Sequence, residues 1–495
     1  MSRAARLHYT VIALGLLAAP AARAEVTADQ AQSLEQQIRV WFAGLAGPAI
    51  DANALPLRLT PDGDSFRVEF GPLPIPGVAI TGGPVTASAK PLDGGRWSIY
   101  DMRLPSPMKT TMSGIKLDSV AAIPTAFTMT IAEQEMHAIL DPGLATTSSY
   151  DGKLSGFSQV VEGPLGTQTT KIDRVTFHNT WHPTDGARQT VLSETTLEGY
   201  SSVQPMKEVG TLTITADRIR SSAGIEQADF GQLGRLIRTA ASLAADVQAG
   251  ANPSGKQPDA ANPTPAQREA MRAMVVAMAS LAASMDGEQV LEGLRVQAGD
   301  HGGRIAELVI GGGFAAPDGK ADLHMKIAMT GLESPDIPPG AFRAFLPRHI
   351  ALAPRVSGIS KEDLVRFLLK AIDDAGQGTM DAEAEALALL ADGPLTLGLD
   401  GLAIDLGTTK VTGAGELEVT SPAEITGAAE LRASGLDTLI ERASKMQETK
   451  TAVPVLLLLK GIGRQDGKEV VWKIAYEDNK VTVNGTDMSA LVPGR

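Results

Sequence analysis

The chain has 495 residues, with 57 acidic against 44 basic side chains and no cysteine. That composition excludes disulfides, thiol catalysis, a cysteine-linked lipid anchor and cysteine-based metal sites. The formal charge of −13 disfavours a nucleic acid or an anionic membrane surface as partner, because either needs a concentrated basic surface.

At the start, Arg3 and Arg6 precede an apolar stretch over 11–19 and the small-residue site Ala22-Arg23-Ala24. This order predicts a secretory signal peptide over residues 1–24, cleaved after Ala24, and a periplasmic location for the mature protein. Cleavage removes Arg3, Arg6 and Arg23 and no acidic residue, so the formal charge moves from −13 to −16. The apolar stretch is too short to span a bilayer, and no later window offers the 18 apolar residues a transmembrane anchor needs. The densest, 453–459, reads as a buried strand.

Directly after the cleavage site, Ala31, Leu34, Ile38, Trp41 and Leu45 recur at helical spacing. Strand alternation is clear in Leu212, Ile214 and Ala216, and a helix is expected over 227–248. The segment 249–265 concentrates Pro, Gly, Asn and Ser and divides the protein into a β-rich half over 25–252, a linker at 253–263, and a second half over 264–495. Thr264-Pro265 with Gln267 predicts a capped helix running to about Met285. Next come an alternating strand over 321–329, a helix after Ser360, and a strand pattern over 395–406 in which Asp400-Gly401 is either a turn or a bulge. Two strands over 411–419 and 425–433 have apolar faces thinned by Gly413, Gly415, Gly427 and Ala429, which need filling by the helix that follows Ser434 or by an acyl chain. Trp472, Ile474 and Tyr476, then Asp478-Asn479 and Val481, predict a terminal hairpin. The fold class expected is α+β, predominantly antiparallel, with elongated or curved sheets and four to six packed helices. An echo between 220–225 and 432–436 suggests a remote duplication of the two halves.

The motifs of common chemistry are weak. His178 and His182 lie on one strand face but about 13 Å apart by strand rise, too far to share a metal. Ser106 and Lys109 have the S-x-x-K spacing of penicillin-interacting enzymes, yet the flanking prolines suit a turn and no companion motif follows. Gly311-Gly312-Gly313 and Gly461-Ile462-Gly463 read as turn glycines at strand ends, and Asn484-Gly485 as a tight turn. Met271, Met274, Met278 and Met285 form a thioether stripe that suits core packing before it suits copper or an adaptable apolar partner. No catalytic, cofactor-binding or metal-binding residue is assigned.

The strand pattern over 395–406, the glycine-thinned pair over 411–433, the Gly435-Leu436-Asp437 helix start and the ending Val481-Thr482-Val483-Asn484-Gly485 with Met488, Leu491 and Pro493 resemble an exported alphaproteobacterial family of unknown function. More loosely, they are similar to YdgA-type and AsmA-like envelope proteins. The resemblance implies an envelope role and a β-groove for lipid; it carries over no catalytic residue. Two functions are expected: a non-enzymatic periplasmic protein that binds an apolar ligand (a lipid) or an envelope protein partner, or a periplasmic hydrolase whose site is assembled from dispersed residues. An outer-membrane barrel is disfavoured by the aromatic content of 4%.

Overall fold

The computed structural model describes residues 26–46, 52–72, 78–112, 126–141, 146–163, 166–184, 188–206, 210–229, 264–316, 318–337, 345–374, 393–421, 424–447 and 449–489, with a few single positions between them. The expected signal peptide and the linker over 253–263 lie outside the described residues.

The fold is α+β and predominantly antiparallel, with five α-helices among the described residues. Helix α1 (Ala28–Ala46) opens with a capping box in which Thr27 Oγ1 accepts from Gln30 N at 3.2 Å and Gln30 Oε1 accepts from Thr27 N at 2.9 Å. It lies on strands β1 (Leu57–Asp62) and β2 (Ser65–Phe70), and the chain continues through β3 (Val78–Thr81), β4 (Val85–Pro91), β5 (Trp97–Arg103), β6 (Met108–Met112), β7 (Ala126–Thr130) and β8 (Glu133–Asp141). Leu34 of the helix is fully buried among Phe66, Ala89, Trp97 and Leu140, which form the N-terminal core. Trp97 and Phe66 meet with ring centroids 5.9 Å apart.

The long strands follow: β9 (Thr146–Gly163), β10 (Gly166–Pro183), β11 (Arg188–Met206) and β12 (Gly210–Asp229). One edge of β9 pairs with β10, while its other edge is shared end to end by β8 and β7, so the sheet forks there. Helix α2 (Pro265–Leu281) has the predicted capping box, Thr264 with Gln267. The meander then resumes through β13 (Ser284–Ala298), β14 (His301–Ala315), β15 (Lys320–Glu333) and β16 (His349–Ser360), to helix α3 (Lys361–Asp374). Strands β17 (Leu395–Asp405), β18 (Lys410–Ser421) and β19 (Glu424–Ser434) lead to helices α4 (Leu436–Ser444) and α5 (Val453–Ile462). The chain ends in β20 (Arg464–Asp466), β21 (Glu469–Glu477), β22 (Lys480–Val483) and β23 (Thr486–Asp487). Because β12 pairs directly with β13, the halves on either side of the linker share one sheet.

Several expectations are corrected. The helix placed at 227 does not begin there: Gln227 has φ +53 within β12, and Ala228 pairs with Gln189 of β11, so the strand ladder claims the polar run; most of 230–248 lies outside the described residues. The run 453–459 is helical, with Pro454 in the first turn where its missing N–H costs nothing. Helix α2 stops at Leu281, and Met285 belongs to β13. Gly311, Gly312 and Gly313 sit inside β14, where Met285 O, Asp286 and His324 occupy the space of a Gly313 side chain. Gly461 and Gly463 close helix α5 instead of a strand. Asp400-Gly401 is a bulge within β17, where the register with β18 shifts between Leu399 and Leu402.

The proposed duplication is also misplaced, since 220–225 lies within β12 whereas 432–436 crosses from β19 into α4. The recurrence that the structure does contain is shorter. Gly156, Gly199, Gly293 and Gly331 adopt φ +61, +65, +64 and +67 in β9, β11, β13 and β15, every second strand of the meander. Each has a residue aligned with it across the ladder in the space a Cβ would need: Ala132, between β7 and β8, for Gly156, and Asp173, Asp217 and Ala306 on the preceding strand for the other three. The local sequences agree, with Leu154-Ser155-Gly156-Phe157, Leu197-Glu198-Gly199-Tyr200, Leu291-Glu292-Gly293-Leu294 and Met329-Thr330-Gly331-Leu332. The ladder skips this row, so it forms a crease across the sheet where regular pairing breaks.

Candidate functional site

Cross-strand partners share a sheet face, and alternate residues along a strand face opposite ways. Following the register two residues from the crease, Leu154, Val175, Leu197, Ile219, Leu291, Leu308, Met329, Ile350, Ile404, Val411, Ala433 and Val470 form one row across twelve strands, all of them apolar. The neighbouring row, one residue along, is Ser155, Arg174, Glu198, Arg218, Glu292, Glu307, Thr330, His349, Asp405, Lys410, Ser434 and Glu469, all polar. With strands about 4.8 Å apart, an amphipathic sheet of this kind is roughly 50 Å wide.

The polar face is held by cross-strand ion pairs: Arg174 with Glu198 at 3.2 Å, Arg220 with Glu292 at 2.7 Å, Lys326 with Glu288 at 2.8 Å and His324 with Asp286 at 3.0 Å. The apolar face is lined by packed rings at one end and covered by helices at the other. Tyr150 stacks on Phe177 at 4.8 Å near the fork, and burial there raises its pKa above the usual tyrosine value. At the other end, Leu436, Leu439 and Ile440 of α4 and Leu456 and Ile462 of α5 pack on Val411, Leu431, Ala433, Val470 and Trp472. Between these ends the face is open: Ile310 is 44% exposed, Met325 43%, and Leu397 and Leu417 40% each. Such a surface in water loses the favourable transfer of its apolar area unless something lies on it.

The filling of the glycine-thinned pair divides in two. Helix α4 covers the Val411 and Ala433 end, as the helix reading expected. Further along, neighbouring strands supply the bulk: Leu431 stands over Gly413, Ala429 over Gly415 and Leu417 over Gly427.

Helix α5 adds a second apolar surface, for while one side packs inward, Val455, Leu457, Leu458 and Leu459 are between 41% and 57% exposed.

The other residues singled out from sequence are not brought together. His178 contacts Asp151 across β9, and His182 lies further along the same strand. The Ser106 hydroxyl donates to Ile131 O and accepts from Ile131 N, both at 2.8 Å, which uses it as a brace, and Lys109 lies in β6. The methionine stripe is not core: Met278 is 60% exposed, and the buried residues nearby are Ala277 and Gln267. Sequence reading missed the apolar row because it becomes visible only through register, although the repeated glycine motif was available as a signal.

Comparisons with protein-family models, with curated proteins and with solved structures found no match for this chain.

Proposed function

We propose that this is an exported, non-enzymatic envelope protein that holds a lipid along the open apolar face of its sheet. The observation that carries the reading is the unbroken apolar row across twelve strands, with the exposed side chains Ile310, Met325, Ile327, Leu352, Leu397 and Leu417 on the same face beside it. A contiguous exposed apolar face of this size marks a site that binds something apolar. The N-terminal pattern of Arg3, Arg6 and Ala22-Arg23-Ala24 supports export, and the exposed leucines of α5 provide a surface from which an acyl chain could be taken up.

The test is native mass spectrometry of the full chain purified from the periplasm of an expressing cell. The expected result is a population heavier than the mature polypeptide, with the extra mass released as lipid on denaturation. The double variant Ile310→Glu with Ile327→Glu alters two half-exposed positions and should leave the circular dichroism spectrum unchanged while removing the adduct. A protein found free of lipid, which also takes none up from detergent-solubilised phospholipid, would overturn the reading. An intact Met1 on the purified protein would overturn export.

A further inference from the structure

The apolar face is not apolar to its edge. At the turn end of β13 to β16, a cleft of about 1100 Å³ is bordered by Arg295, Arg304, Arg348 and Arg442, with Asp300 and Glu333 as carboxylates. Four cations against two anions is the reverse of the chain as a whole, in which acids exceed bases by 57 to 44. Arg295 is engaged by Asp217 at 3.0 Å. Among the described residues, Arg304, Arg348 and Arg442 close no ion pair within 4 Å, although the Asp405 carboxylate lies within electrostatic reach of Arg348 and that of Glu441 within reach of Arg442. Arg304 and Glu333 are cross-strand partners in register but do not come within ion-pair distance.

The three guanidinium groups come from separate places, β14, the residue directly before β16 and helix α4, so one stretch of sequence does not account for their convergence. Arg348 is positioned by its surroundings. Its backbone N–H donates to Asp405 O at 2.6 Å, its carbonyl accepts from Gly331 N at 2.9 Å, and its guanidinium lies 3.0 Å from where a Cβ on Gly407 would stand. Planar, permanently charged guanidinium groups match phosphate and carboxylate oxygens in pairs, a use open to arginines that converge on a cleft without closing an ion pair.

Position along the strands supplies the rest. In β14, Arg304 is followed on the same face by Ala306, Leu308, Ile310, Gly312 and Phe314. Directly before β16, Arg348 stands at the head of Ile350, Leu352, Pro354 and Val356. Arg304 and Arg348 therefore each head an apolar file. From Arg348 to Val356 is about 26 Å of strand, longer than the roughly 15 Å that a lipid tail occupies in one leaflet of a bilayer core.

Resting on the lipid-binding reading above, we propose that the lipid is anionic, its phosphate seated between Arg304, Arg348 and Arg442 and its acyl chains laid along β14 to β16.

The test uses the full exported chain, delipidated, and detergent-solubilised phosphatidylglycerol and phosphatidylcholine of identical acyl composition, with bound lipid counted by native mass spectrometry. The expected result is at least tenfold preference for phosphatidylglycerol. In the triple variant Arg304→Gln, Arg348→Gln, Arg442→Gln, that preference should vanish while phosphatidylcholine binding stays at the wild-type level. Equal binding of both lipids by the wild type, or preference retained in the triple variant, overturns the headgroup site and leaves the apolar-face reading intact. Binding of neither lipid overturns both. Calorimetry with inorganic phosphate makes the last distinction: arginine-dependent phosphate binding without any lipid uptake would show a site for a free anion and overturn the lipid assignment.

Discussion

At the scale of single residues, the crease glycines are constrained twice. A side chain at Gly293 would require a left-handed conformation that costs an L-residue about 1 to 2 kcal/mol, and it would also fall on the carboxylate of Asp217. Gly63 shares the conformation, with φ +65, but has nothing within 4 Å of its missing Cβ. In urea denaturation, Gly63→Ala should therefore cost about 1 kcal/mol. Gly293→Ala should cost clearly more, and adding Asp217→Ala should recover part of the loss; equal costs at the two glycines would show that the carboxylate yields freely. Asp405 offers a separate check, because the backbone N–H of Gly407 at 2.6 Å, then Lys410 at 3.3 Å, hold its carboxyl below the usual carboxylate range. A depressed folded-state pKa stabilises the fold above the unfolded value, and that contribution fades as pH falls through the folded one. Carbon-detected NMR titration should place Asp405 below an ordinary aspartate, and Asp405→Asn should flatten the acid limb of the stability curve.

Elements were legible in the sequence where their period was unambiguous. Helix α1 shows spacings of three and four from Ala31 to Leu45, and β15 alternates from Ala321 to Met329, so the period identifies both. Helix α5 failed that test because Val455 and four consecutive leucines are apolar all round, which fits a buried strand as well as a helix until Pro454 is recognised as a first-turn residue. The open site was hidden for a different reason: it depends on which residue of one strand stands opposite which residue of the next, and that is set connection by connection over eleven successive pairings from β9 to β21. Two element-scale outcomes follow. Leu34→Ala empties a fully buried position and should cost about 2 to 5 kcal/mol, whereas Leu458→Ser changes a side chain already 52% exposed and should stay within about 0.5 kcal/mol. A large loss at Leu458 in the same denaturation series would mean that α5 is covered in solution. Thr264→Ala, which removes the cap of α2, should cost about 1 kcal/mol.

Across the whole molecule, β9 to β19 run as a meander in which each strand pairs with its sequence neighbours, and the crease glycines mark it off in two-strand units. Stability in such an arrangement is close to a sum of local terms and neighbour couplings. Hydrogen exchange should consequently show graded protection along the meander, and a single uniform opening free energy for all the strands would argue against that independence. The same arrangement has a consequence for ancestry and size. Gly293 and Gly331 are separated by 38 residues and Gly156 and Gly199 by 43, while the long interval from Gly199 to Gly293 absorbs α2 and its approach without breaking the pairing of β12 with β13. A chain built this way can be lengthened or shortened by whole hairpins, each adding roughly 10 Å of width and one more glycine. Its reach is thus set by copy number, the count of hairpins fixing how far the apolar row extends.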